Sequence, residues 1–233
     1  MLSVVSNSVL AVEEGSIVAA LVWGDSGQRY FETGIDRGVL FPKVGDGVVW
    51  NGLISVSESP TGGESVPYYY DGFKYLNVSA SEEFEATIQA YSAPYEFGKC
   101  DGSVPMLNGL FLTQQIRESF GFSYRTRIGN DTDGINHAYK IHLVYNALAA
   151  PVQKNNSSLS SAPGAMTLSW KITTLPPSIV GFKPTAHFII DSRYTPAILL
   201  SDIENRIYGT TSAESYLPTV TEIMGLFSTY SAG

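Results

Sequence analysis

Period-two alternation of apolar and polar residues recurs along this chain, and it limits most sharply what the chain can fold into. From Glu82 to Tyr91, Phe84, Ala86, Ile88 and Ala90 fall on one face, with Glu83, Glu85, Thr87 and Gln89 on the other. Successive side chains of a strand point to opposite faces, so the segment reads as a half-buried β-strand. Phe120 to Ile128 repeats the pattern, setting Phe120, Phe122, Tyr124, Thr126 and Ile128 against Gly121, Ser123, Arg125 and Arg127. His137 to Ala147 sets Tyr139, Ile141, Leu143 and Tyr145 against Lys140, His142 and Asn146. Met166 to Thr174 sets Met166, Leu168, Trp170 and Ile172 against Thr167, Ser169, Lys171 and Thr173. Val48 to Ser57 and Ala186 to Asp191 read as further strands. Asp71-Gly72, between Tyr68-Tyr69-Tyr70 and Phe73 to Ser79, is a hairpin signal.

Helices are few. Pro196 to Tyr208 has Pro at a plausible first position, apolar Ile198, Leu199, Ile203 and Ile207, and Gly209 as a stop. Pro218 to Phe227 reads as a second, shorter helix and Gln114 to Phe120 as a helical turn. Glu58 to Pro67 is rich in Gly, Ser and Pro and reads as a long protruding loop; Gln153 to Gly164 reads as a flexible surface loop. Strands of one character flank both, so neither is a domain linker. The expected architecture is mainly β: one antiparallel β-sandwich or barrel spanning the chain, with helix appended.

The surface is acidic and sparsely charged. Net charge is -8, and charged residues make up 15% of the chain against a typical ~25%. That balance argues against ordinary nucleic-acid binding, which needs a cationic field. The charge is uneven: residues 1–101 hold 14 acids and 5 bases, net -9, and residues 102–233 hold 8 acids and 9 bases, net +1. A protomer polarised in this way can stack head to tail if the two regions lie at opposite ends. Met1 to Leu10 carries no positive charge before its apolar residues, unlike a secretory signal. The apolar run Ile17 to Trp23 is shorter than the ~20 residues of a transmembrane helix. The expectation is a protein made and folded in a cytoplasm, where the sequons at Asn77, Asn130, Asn155 and Asn156 are chance matches.

Chemistry is hard to find. The lone Cys100 can form no intrachain disulfide and reads as inert packing. His137, His142 and His187 are the only histidines; the first two lie five apart on one strand, on opposite faces, and cannot chelate together. Asp131-Thr132-Asp133-Gly134 looks like a calcium loop, but the register puts Gly129 and Lys140 where acids are needed. Glu83 and Glu85 share a strand face about 6.5–7 Å apart, within the range of paired glycosidase carboxylates, yet alternating surface acids explain them better. No nucleophile elbow, phosphate loop or dinucleotide fingerprint is present. The expectation is therefore no enzyme, no catalytic, cofactor-binding or metal residue, and no cofactor. Tyr68, Tyr69, Tyr70, Tyr75, Tyr91 and Tyr95 cluster within thirty residues, which suits protein interfaces and sugar stacking alike.

One long stretch is more specific. Phe120-Gly121-Phe122-Ser123-Tyr124-Arg125-Thr126-Arg127-Ile128-Gly129-Asn130-Asp131-Thr132-Asp133-Gly134 continues as His137-Ala138-Tyr139-Lys140-Ile141-His142-Leu143-Val144-Tyr145-Asn146-Ala147-Leu148-Ala149. With Trp50-Asn51-Gly52-Leu53, Tyr91-Ser92-Ala93-Pro94-Tyr95-Glu96-Phe97, Ser169-Trp170 and Lys183-Pro184-Thr185-Ala186-His187, it resembles the major tail (tail tube) proteins of long-tailed, non-contractile bacteriophages, particularly those of actinobacterial phages. The resemblance covers about residues 30 to 209 and rests on strands and turns.

That resemblance implies a structural virion protein of the tail. Its β-sandwich with a flanking helix would form hexameric rings, stacked around a tape-measure protein, and the tube would conduct double-stranded DNA into the host. Partners would be copies of itself, the tape-measure protein, and the tail terminator and tail tip or baseplate proteins, with no membrane. Assembly would take place in the host cytoplasm. An N-terminal arm (about 1–29) and a C-terminal helical segment (about 196–233) would flank the sandwich. Glu83 and Glu85 are the candidate lumen-facing acids, because an acidic bore repels phosphate. Glu58-Ser59-Pro60-Thr61-Gly62-Gly63-Glu64-Ser65-Val66-Pro67 is the candidate inter-subunit loop, ordering on assembly. The alternative is another phage virion β-sandwich module, for adhesion or carbohydrate binding.

Overall fold

The computed structural model describes residues 23–156, 158 and 164–231. Most of the expected N-terminal arm, Met1 to Leu10 and the apolar run from Ile17 up to Trp23 lie outside the described residues, as does much of the Gln153 to Gly164 loop.

The chain is mainly antiparallel β-structure. In order come β1 (Phe31–Pro42), β2 (Val48–Val49), β3 (Leu53–Glu58), β4 (Thr61–Gly62), β5 (Ser65–Tyr70), β6 (Phe73–Ser79), β7 (Glu82–Glu83) and β8 (Glu85–Ala90). A short helix α1 (Phe97–Cys100) precedes β9 (Val104–Leu107), β10 (Leu110–Leu112), β11 (Phe120–Asn130) and β12 (Gly134–Ala149). Then follow β13 (Leu168–Thr174), β14 (His187–Asp191), α2 (Ala197–Tyr208) and α3 (Val220–Ser231). The main sheet runs β2-β1-β11-β12-β13-β8-β3, with β14 also on β12. No helix among the described residues is long and apolar enough to cross a membrane.

Strand β12 organises the molecule. One edge pairs with β11 along its length. The other holds β14 at Lys140 to Val144 and β13 at Ala147 to Ala149. The change of partner falls at Asn146, whose φ of 49° leaves the extended region. There the register against β11 slips, so that Phe120 and Phe122 face Ala147 and Val144. A bulge of this kind reverses which side chains point to which face. Ile141, Leu143 and Tyr145 face one way; Val144 and, beyond the bulge, Ala147 and Ala149 face the other.

Both faces are buried, against different layers. On one, Phe122, Tyr124, Val144 and Ala147 meet Ile88, Trp170 and Ile172 of β8 and β13, with Trp50 and Phe97 between the layers. Trp50 packs on Phe97, Phe122 and Trp170 at ring separations of 4.7–5.6 Å, and its indole N–H donates to the Ser92 carbonyl at 2.9 Å. On the other face, Val39, Phe41, Ile141, Leu143 and Ile190 are covered by Leu199, Leu200, Ile203 and Ile207 of α2 and Ile223 of α3. Both helices therefore lie on the sheet. Tyr145 fixes the chain between them, its hydroxyl donating to the Pro218 carbonyl at 2.8 Å. Helix α3 opens on a capping box: Glu222 N–H donates to Thr219 Oγ1 at 3.2 Å, and the Glu222 carboxylate accepts from Thr219 N–H at 2.8 Å.

Several expectations are corrected. Val48 to Ser57 is two strands, broken by a turn at Trp50–Gly52 where Gly52 has φ 79°. Gln114 to Phe120 is not helical; Gln114 sits at φ 64°. The alternating run from Glu82 is interrupted at Phe84. Glu58 to Pro67 is not a loop throughout: it holds the end of β3, all of β4 and the start of β5. At the tip of β11–β12, Gly129 is required by close approach, since a Cβ there would stand 2.7 Å from the Gly134 carbonyl oxygen.

The layer assignment makes a direct prediction. Ile172→Ala, between the two sheets layers, should cost about 2–5 kcal/mol in denaturant unfolding. Leu175→Ala, three residues on and 74% exposed, should stay within about 0.5 kcal/mol. Equal costs would contradict the layering.

Candidate functional site

Two neighbouring features stand apart from the core: an aromatic arm, and a cluster of ionisable groups at its root. The arm leaves the main sheet after Glu58 and returns at Phe84. Its base is the β4–β7 pair and its body the β5–β6 hairpin. The hairpin turns at Asp71-Gly72, where φ values of 46° and 79° provide the left-handed pair that a two-residue turn needs. Every residue of β5 and β6 is exposed. The aromatics belong to no core; Tyr69, Tyr70, Phe73 and Tyr75 are 66%, 69%, 78% and 73% exposed. An isolated two-stranded hairpin is at best marginally stable in water. Large contiguous apolar surface of this kind marks an interaction site.

At the root, Glu58 ends β3, His142 lies mid-β12 and His187 opens β14. His142 Nδ1 is 3.0 Å from His187 Nε2, and His142 Nε2 is 3.0 Å from Thr126 Oγ1. The Tyr124 hydroxyl donates to Glu58 Oε1 at 2.6 Å. Glu58 Oε1 stands 3.6 Å from His142 Nδ1, and Oε2 stands 3.9 Å from His187 Nδ1. Tyr124 lies parallel to the His142 ring at 4.4 Å, and Phe84 covers His187 at 4.3 Å.

Burial sets the protonation. His142 is pushed down to about 4, first by burial and then by His187, with Glu58 opposing. Burial also lowers His187 against the pull of Glu58. The Tyr124 phenol is pushed up, by burial first and then by its bond to Glu58. The pair is thus two neutral imidazoles beside Glu58, and His187 and Glu58 line an open groove together with Pro60, Glu82, Glu83 and Lys183.

The residues singled out from sequence divide between these features. Glu58 belongs to the root cluster, and Ser59 to Pro67 form the ascending side of the arm. Glu83 pairs with Thr61 in the arm's own base, whereas Glu85 pairs with Thr173 in the main sheet. Glu85 is also ion-paired with Lys171 at 2.7 Å. His137 does not join His142; its ring bonds Asp133 at 2.7 Å. Cys100 is buried, and burial pushes its thiol up to about 12. The His142–His187 pair escaped the sequence reading because it joins strands 45 residues apart. A polar residue on the Val144 side of β12 was the available signal.

No protein-family model matches the chain, and no curated protein matches it. Among solved structures it is similar to a chain of the anti-feeding prophage (AFP) baseplate, determined by cryo-electron microscopy with 6-fold symmetrisation. The TM-score is 0.38 at 7% identity, over 73% of this chain and 97% of that one. A likeness that loose carries no argument.

Protonation gives this site a measurable signature. Between pH 6.5 and about 4 the unfolded chain binds a proton at His142 that the folded chain refuses. Stability from this group is therefore complete above pH 6.5 and falls as pH drops through that window, by about 3 kcal/mol at most. His187 acts in the same direction. Below it, Asp36, held down by its bonds to Arg125 and then Arg127, and Asp191, held down by Arg193, extend the loss. Urea midpoints from pH 7 to 4 should fall more shallowly in His142→Gln than in the parent; parallel curves would contradict the assignment.

Proposed function

We propose that this chain is a self-assembling tube subunit, the tail tube protein of a long-tailed, non-contractile bacteriophage. Copies close edge to edge into rings, hexameric as in the family the sequence resembles, and the rings stack into a conduit for DNA. The observation that carries this reading is the arm. An aromatic hairpin with no core of its own becomes stable when a neighbouring subunit covers it. The edge of β1 supports the same reading. Among the described residues only Val39 and Leu40 pair with β2, and the Gly38 carbonyl accepts from Trp50 N–H, leaving the outer edge of residues 31–37, kinked at Gly34 and Arg37, without a partner strand. An open edge of that length invites pairing with another chain.

The role is structural and needs no catalytic group. Ring copies, a tape-measure protein, and terminator and tip proteins at the two ends are the partners, and double-stranded DNA passes without being gripped. An acidic bore serves that passage by repelling phosphate. Of the two candidate acids, Glu83 suits the bore better, since Lys171 already matches the charge of Glu85.

Negative-stain microscopy of concentrated protein, with and without tail initiator proteins, tests the reading. The parent should give rings or cylinders. A variant with residues 65–79 replaced by a short Gly-Ser turn should keep the parent's melting temperature and give none. Cylinders from the shortened variant, or a defined trimer with glycan affinity from the parent, would overturn it.

A further inference from the structure

The cluster at the arm's root has no part in the proposed subunit contacts. Glu58, His142 and His187 come from three strands, and one ligand atom from each lies within 4.8 Å of the others. We propose that these three side chains bind a divalent transition ion of the zinc type, which ties the root of the arm to the sheet.

The donor set is the first argument. Two imidazoles and one carboxylate suit zinc and its neighbours, whereas calcium and magnesium prefer all-oxygen sites. Spacing is the second. Ligand atoms about 2.0–2.1 Å from a tetrahedral ion stand roughly 3.3 Å apart. His142 Nδ1 stands 3.6 Å from Glu58 Oε1, close to that value, and the 3.0 Å contact of His142 Nδ1 with His187 Nε2 is the hydrogen bond that an ion would replace.

The surroundings are the third argument. Thr126 Oγ1 can accept the proton of His142 Nε2, leaving the Nδ1 lone pair directed at the site. Tyr124 donates to Glu58 Oε1 and holds the carboxylate in place. Such outer bonds orient ligands in metal sites. The Tyr124 and Phe84 rings wall the imidazoles, and the groove gives an ion a way in. Without an ion the imidazoles lie within 15° of coplanar and share a hydrogen bond. Binding breaks that bond: the proton of His187 Nε2 is lost to solvent, His187 Nδ1, 3.9 Å from Glu58 Oε2, takes one up, and the ring turns so that both lone pairs meet the ion. Water fills the fourth position.

Because Glu58 ends β3 and Phe84, where the arm returns, packs on His187, the ion would fix the direction in which the arm leaves. The inference stands whether or not rings form, since monomer suffices to test it. Untagged, chelator-treated protein should bind one equivalent of zinc chloride in calorimetry and melt at a higher temperature with it. Glu58→Gln and His187→Gln should each weaken binding on the order of a hundredfold. Glu83→Gln, a groove carboxylate outside the triad, should leave binding unchanged. Circular dichroism and melts check each variant's fold, and Glu58→Gln decides if His187→Gln fails to fold. No saturable binding, or equal affinity in parent and Glu58→Gln, would overturn the proposal.

Discussion

Strand β12 has no solvent face through its middle. Ile141, Leu143 and Val144 are fully buried although they point to opposite sides. A strand apolar on both faces needs cover from both, and that requirement places the β8–β13 layer on one side and α2 and α3 on the other. The bulge at Asn146 makes the arrangement possible. It lets one edge serve β14 and then β13, so the sheet divides there into layers. Deleting the register slip would turn the Ala147 and Ala149 side chains away from the Trp170 core.

A rigid three-layer body also explains why the arm can be unfinished. Its root is anchored by β3 and β8, both paired in the main sheet, while its two strands pair only with each other and are exposed among the described residues. A free hairpin gains too little from burial to offset the cost of ordering its backbone. Aromatic side chains held exposed on such an element are the surface that the proposed subunit contact would cover.

Local sequence revealed the strands and concealed how they pack. Alternation identified β8, β11 and β13, and β12 through Lys140, His142 and Asn146 opposite its apolar face, whereas β14 was read as a strand without it. The Asp71-Gly72 turn was legible because its left-handed backbone needs those residues. What failed was context: the Gly- and Ser-rich stretch from Ser59 forms strand because its partner, β7, lies twenty residues on. Helix α3 was placed a little early, although Thr219 and Glu222 carry a readable capping box. The root cluster was invisible for a different reason. Each of its three residues looks ordinary alone, and only the antiparallel pairing of β12 with β14 sets His142 beside His187.

The central claim is that the arm is completed by a neighbouring copy. Hydrogen exchange of the β5–β6 amides, in isolated subunit and in assembled material, tests it most directly. The account predicts fast exchange across Ser65 to Ser79 in the isolated subunit and strong protection after assembly, with the amides of β11 and β12 slow in both. Equal protection of the hairpin in the two states would contradict it.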